Sequence, residues 1–98
     1  MDKEQAITIL QSHQGELHRR GVLHAGLFGS VARGDAGPTS DLDIMIDLEP
    51  EAPIDVFGYA ALKRYIAGLF PGRVDVVNRE ALKPRLRGSV ASDEIPAF

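Results

Sequence analysis

Apolar and polar positions along this chain change rhythm several times, and each rhythm predicts an element. Ile7, Leu10, Gln14 and Leu17 fall on one line at helical spacing, which predicts a first helix over about residues 3 to 19 with one buried side. Asp2 ahead of it and Gln5 three residues later fit a capping box. Gly21 ends that helix. Val22 to Phe28 then reads as a strand, with Val22, His24, Gly26 and Phe28 on one face and Leu23, Ala25 and Leu27 on the other. Gly29-Ser30 closes the strand, and Ser30 is placed to cap a short helix over about Val31 to Arg33. Residues 34 to 40 are glycine, proline and small polar residues, hence a loop.

Asp41 to Leu48 is the clearest strand. Leu42, Ile44, Ile46 and Leu48 point one way, and Asp41, Asp43, Met45 and Asp47 the other. Pro50 and Pro53 break the chain. A helix from about Ile54 to Phe70 follows, with Ile54, Phe57, Ala61, Leu62, Tyr65, Ile66 and Leu69 as a wide apolar face. Pro71-Gly72 ends it. Arg73 to Val77 reads as a third strand. A short helix near Arg79 to Leu86 comes next, kept brief by Pro84, and residues 88 to 98 form a terminal segment. The order α-β-α-β-α-β-α implies an α/β (α+β) fold with helices packed on a sheet. The strand directions stay open, so the expectation is a small mixed sheet of about three to four strands.

Size and composition narrow the classes. A chain of 98 residues fits one small domain, 1–98, with one core. Its 44% hydrophobic and 26% charged content is ordinary for a globular protein. No apolar run reaches membrane-span length, and the polar N-terminus has no signal-peptide core. Cysteine is absent, which excludes disulfides and thiolate zinc. A cytoplasmic protein with no membrane partner is expected. The net charge of -3 argues against direct nucleic-acid binding. Arg73, Arg79, Lys83, Arg85 and Arg87 cluster late and read first as solvated surface, with a contact for triphosphate or an acidic partner as the functional alternative.

The candidate chemistry lies between Gly29 and Asp43, with Asp75 downstream. Side chains at i and i+2 of a strand share a face, so Asp41 and Asp43 project together. Two such carboxylates repel unless a cation lies between them, and hard oxygens suit Mg²⁺ or Mn²⁺. An Asp-x-Asp alone is common and reads first as a turn contact beside an exposed charge. Gly29 lets backbone pass close to a phosphate, and Ser30 offers a hydroxyl. Alone, that pair reads as a strand-to-helix turn. Asp75 falls on the same side of its strand as Arg73 and Val77. It joins the acidic pair if that strand lies beside the Asp41–Asp43 strand; otherwise it is an edge charge.

Gly29-Ser30, Arg33-Gly34-Asp35-Ala36 and Ser40-Asp41-Leu42-Asp43 together resemble the signature of the DNA polymerase β-like nucleotidyltransferase superfamily. More narrowly, the chain resembles the minimal nucleotidyltransferases, the MNT antitoxins encoded beside HEPN toxins. The signature covers about residues 28 to 43, and element order and length match nearly the whole chain. The resemblance implies that Asp41 and Asp43 bind two metals, with Asp75 as the third carboxylate, less directly matched. Two-metal nucleotidyl transfer would follow, with Mg²⁺ ions about 3.5–4 Å apart. Gly29 and Ser30 would hold the β- and γ-phosphates of ATP, and Arg33 a phosphate or the partner, unless it is a solvated helix arginine. Asp35 would fix its loop and Ser40 cap the turn before Asp41, while Asp47 reads as a surface charge and His13, His18 and His24 as structural or exposed.

Three functions remain. The first is transfer of AMP from ATP to a tyrosine of a HEPN ribonuclease toxin, neutralising it. The second is a non-catalytic antitoxin that covers its toxin, with Ile95 and Phe98 among its apolar contacts. The third is small-molecule nucleotidyl transfer, for which 98 residues leave little room. A homodimer is compatible with all three.

Overall fold

A computed structural model describes residues 2–34, 41–82, 84, 85, 88 and 93–98. Helix α1 (Lys3–Ser12) opens with the expected box: Gln5 N–H donates to Asp2 Oδ1 at 2.8 Å, and Asp2 N–H donates to Gln5 Oε1 at 3.2 Å. The helical stretch expected over 3 to 19 is divided at His13, whose backbone leaves the helical region, and resumes as α2 (Gln14–Arg19). Ala6, Leu10 and Leu17 are its fully buried side chains.

Strand β1 (Val22–Phe28) runs antiparallel to β2 (Leu42–Leu48), and β2 runs parallel to β3 (Val74–Asn78). The parallel step needs a crossover, which α4 (Val56–Ala67) supplies by packing along β3. A fourth strand, β4 (Ile95–Pro96), adds antiparallel to the other edge of β1, giving the order β3-β2-β1-β4. The sheet is therefore mixed and four-stranded, with α1, α2 and α4 contributing to one core with Leu42, Ile44 and Ile46.

Several sequence expectations change. A register shift between Val22 and His24 puts Val22 in the same core cluster as Ala25 and Leu27, although strict alternation set it on the other face. Phe57 leaves the apolar face of α4 and is 83% exposed. At about 100° per residue it lies about 180° around the helix from buried Ile66, so Leu62 and Ile66 carry the packing instead. The helix expected near Arg79 to Leu86 begins as a 3₁₀ turn over Arg79–Ala81, with Asn78 accepting from Glu80 N–H; Lys83, Leu86 and Arg87 lie outside the described residues. Ile95 and Phe98 are used inside the fold. Ile95 pairs with Leu27, and Phe98 sets its ring edge-on to His18 at 5.4 Å.

The C-terminal segment is anchored by charge as well as by strand pairing. Arg79 Nε donates to Asp47 Oδ1 at 2.7 Å, and Arg79 Nη2 donates to Glu94 Oε1. Asp47 and Arg79 are thus an ion pair, not a lone surface charge and a solvated arginine. The two carboxylates hold the Arg79 guanidinium above its ordinary value. Gly26 gives this segment its room: a Cβ there would stand 2.9 Å from the Ile95 carbonyl and 3.2 Å from Glu94 Cγ. Among the described residues no helix is long and apolar enough to cross a membrane.

Replacing Arg79 by Ala leaves Asp47 and Glu94 without their shared cation. Urea denaturation of Arg79→Ala is expected to show a loss of roughly 1–3 kcal/mol. A loss under about 0.5 kcal/mol, the level of an ordinary surface change, contradicts the clamp.

Candidate active site

Strand register decides which acids meet. Phe28, the last residue of β1, stands opposite Asp43 of β2. The chain then turns at Gly29 directly over the Asp43 side chain. A Cβ on Gly29 would lie 2.2 Å from Asp43 Oδ2, and Gly29 has φ +75°, a region that side chains strain to adopt. Glycine is required here twice, once for space and once for backbone angle.

On its other side Asp43 stands opposite Asp75 in the parallel ladder. Asp41 precedes β2 by one residue and adds its charge from the same side. Burial first, then the charges of Asp75 and Asp41, push the Asp43 carboxyl above its ordinary value, and Arg33 opposes them. Asp75 is exposed, and Asp41 lies 3.7 Å from the highly exposed Arg73, too open a pair to hold it firmly. Asp75, its ladder partner, and Asp41 thus both bear on Asp43 by charge, while the Gly29 turn packs against its side chain.

Helix α3 (Gly29–Arg33) starts straight from the strand. Phe28 occupies the cap position and no side chain caps it, so Ser30 sits inside the first turn rather than before it. With the turn at Gly29, φ +75°, the helix starts two residues earlier than a serine cap would set it. Arg33 ends the helix, and its guanidinium lies 3.4 Å from an Asp93 carboxylate oxygen. Asp93 and Glu94 carry no sequence signal: they are 60 and 15 residues from Arg33 and Arg79, the arginines they meet. Asp35 and Ser40 lie outside the described residues. His13 bonds Tyr65 Oη at 3.0 Å, His18 packs on Phe98, and His24 is exposed.

The residues fit a divalent cation. The donors are hard carboxylate oxygens only, and the repulsion at Asp43 is what a cation would relieve. Among the described residues no group of three His, Asp or Glu side chains is gathered closely enough to hold a metal ion together, so the fit is that of a carboxylate pair. Mg²⁺ is ordinarily held by one or two carboxylates, with waters and substrate phosphates completing its sphere.

Comparison with known proteins shows the family and the fold. Residues 4–96 match the model of the nucleotidyltransferase domain. The chain is 37% identical over 93 residues to the protein adenylyltransferase MntA of Thermococcus cleftensis, covering 94% of this chain and 92% of that one. A solved structure described as a minimal nucleotidyltransferase superposes with TM-score 0.80 at 36% identity, covering 98% of this chain and 96% of the other. A toxin–antitoxin crystal structure with AMP-PNP superposes with TM-score 0.68 at 21% identity, covering 90% and 72%, a likeness of fold.

Gly29→Ala is expected to lower stability by about 1–3 kcal/mol, read by urea denaturation, and to displace Asp43. Wild-type stability within about 0.5 kcal/mol contradicts that packing. A raised carboxyl pKa means the folded state holds the proton more tightly than the unfolded chain. The charge penalty of Asp43 is therefore absent below the ordinary carboxylate range, grows as pH rises through the raised value, and persists above it. In metal-free buffer at pH 7, Asp43→Asn is expected to be at least as stable as wild type. A less stable variant contradicts the strain.

Proposed function

The chain belongs to the nucleotidyltransferase domain family and is a nucleotidyltransferase, and from that premise we propose that it transfers AMP from ATP to a tyrosine of a HEPN ribonuclease toxin. The observation that carries this reading is Asp43, set between the Gly29 turn and Asp75 by the registers of both its neighbours. The protein acceptor is supported by the Thermococcus relative, a protein adenylyltransferase. The toxin is supported by the resemblance of the Gly29–Asp43 signature and by the fold shared with the toxin–antitoxin structure.

Asp41, Asp43 and Asp75 would hold Mg²⁺, which would supply positive charge against the triphosphate and the leaving pyrophosphate. The backbone at Gly29 can approach the phosphates closely because no side chain intervenes, and Ser30 adds a hydroxyl donor. Arg33, within the electrostatic reach of Asp43 and paired with Asp93, would add positive charge toward phosphate. The tyrosine oxygen attacks the α-phosphorus, the bond to the β-bridging oxygen breaks, and pyrophosphate leaves with the electron pair. Asp75, the exposed member of the cluster, can take the phenolic proton. AMP then adds bulk and negative charge where the toxin handles RNA.

Intact mass of the purified toxin after incubation with this protein, ATP and Mg²⁺ tests the reading. One or more AMP units are expected, on tyrosine by peptide mapping. Asp41→Asn/Asp43→Asn is expected to add none, and Asp75→Asn to slow transfer roughly a hundredfold or more. A blocked toxin in a stable complex without added mass would replace catalysis by neutralisation through contact.

A further inference from the structure

The first turn of α4 carries the most exposed large apolar side chains among the described residues, Val56 at 80% and Phe57 at 83%. An open cavity of about 340 Å³ adjoins them, lined by Leu48, Ile54 and Tyr59 together with Glu49, Asp55 and Glu80. Charge is unevenly spread along the chain. Residues 34 to 62 hold no Lys, Arg or His, and three of their acidic residues, Glu49, Glu51 and Asp55, fall between the end of β2 and the start of α4. Glu51, on the turn leading to α4, is exposed as well. The first cation on α4, Lys63, lies over the Tyr59 ring at 5.6 Å, where the acidic border stops.

We propose that the Val56–Phe57 step and its acidic border form a docking surface for the protein acceptor, whose matching face is an apolar socket bordered by Lys and Arg. The inference rests on the protein-adenylylation reading and names the partner's surface chemistry. An exposed aromatic beside a cleft is the kind of anchor that dominates interfaces once buried. Charge complementarity selects its occupant. A ribonuclease must hold a polyanion on basic residues. A second copy seated symmetrically would set acid against acid.

Position separates this surface from the chemistry. Leu48 and Asn78, at the C-terminal ends of β2 and β3, line the cavity, whereas Asp43 and Asp75 lie near the N-terminal ends of the same parallel pair. Five residues of strand, Asp43 to Leu48, span about 16 Å. A partner held there is concentrated at the acid cluster without any contact to the reacting atoms. Loss of the anchor therefore raises KM for the acceptor and leaves kcat alone.

The test uses the purified HEPN toxin as acceptor, with KM and kcat from the rate of AMP addition and Kd from calorimetry. Phe57→Ser is expected to raise KM and Kd for the toxin roughly tenfold or more, with kcat and the KM for ATP within about twofold. Its melting temperature is expected to stay within about 2 °C, since the side chain is exposed. Glu51→Lys is expected to weaken binding at low salt and to match wild type at high salt. Unchanged KM and Kd in Phe57→Ser overturn the proposal while AMP transfer by the wild type keeps the enzyme reading. Weakened binding by Phe57→Ser, with no AMP transfer by the wild type, supports the docking surface and ends the enzyme reading. A wild-type chain that does not bind the toxin overturns both. Concentration-dependent self-association that Phe57→Ser abolishes makes the occupant a second copy and overturns the proposal.

Discussion

The register of β2 is the constraint on which the rest depends. One residue of slip would turn Asp41, Asp43 and Asp47 toward the core and Leu42, Ile44 and Ile46 outward. Leu42, Ile44 and Ile46 are at most 6% exposed and share one core cluster with side chains of α1, α2 and α4, so the register is held by the main core. The site inherits its geometry from that packing. Asp43 is opposite Phe28 because β1 pairs antiparallel, and opposite Asp75 because β3 pairs parallel. Folding energy from one face thus keeps Asp43 and Asp75 side by side, with Asp41 near enough to act on Asp43 by charge.

The aspartate side of the sheet is kept in place by different means. Arg79 holds Asp47 and Glu94, Arg33 reaches Asp93, and β4 pairs beside Gly26 and Leu27. These contacts place the last residues of the chain next to the site rather than leaving them as a tail. Gln11 adds a tie from α1 by donating to the Ala97 carbonyl at 2.9 Å. Docking at the first turn of α4, at the other end of β2, leaves the acids untouched, with the Arg79–Asp47 pair standing next to the cavity that Leu48, Asn78 and Glu80 line.

Much of this was legible in the chain. Strong alternation in Leu42 to Leu48, the capping box at Asp2 and Gln5, and the Gly29-Ser30 turn are local patterns, and the three strands formed close to their expected ranges. The acidic pair and Asp75 were nominated from spacing and from resemblance, and the ladder sets Asp43 beside Asp75. What escaped was of two kinds. Local irregularity changed faces: the shift after Val22, the break at His13, and the rotation that leaves Phe57 in solvent. Long-range pairing had no pattern to announce it: β4, and the partners of Arg33 and Arg79, depend on the chain returning across the sheet.

The central claim is that the sheet assembles an acidic cluster at a cost that a bound cation and nucleotide reverse. Thermal melting of wild type and Asp43→Asn, each with and without Mg²⁺ and ATP, tests it most directly. Without ligands the Asn variant should melt at or above wild type, and with both ligands the order should invert as only the wild type gains. The same order in both conditions, with no ligand-dependent gain for wild type, would contradict the account.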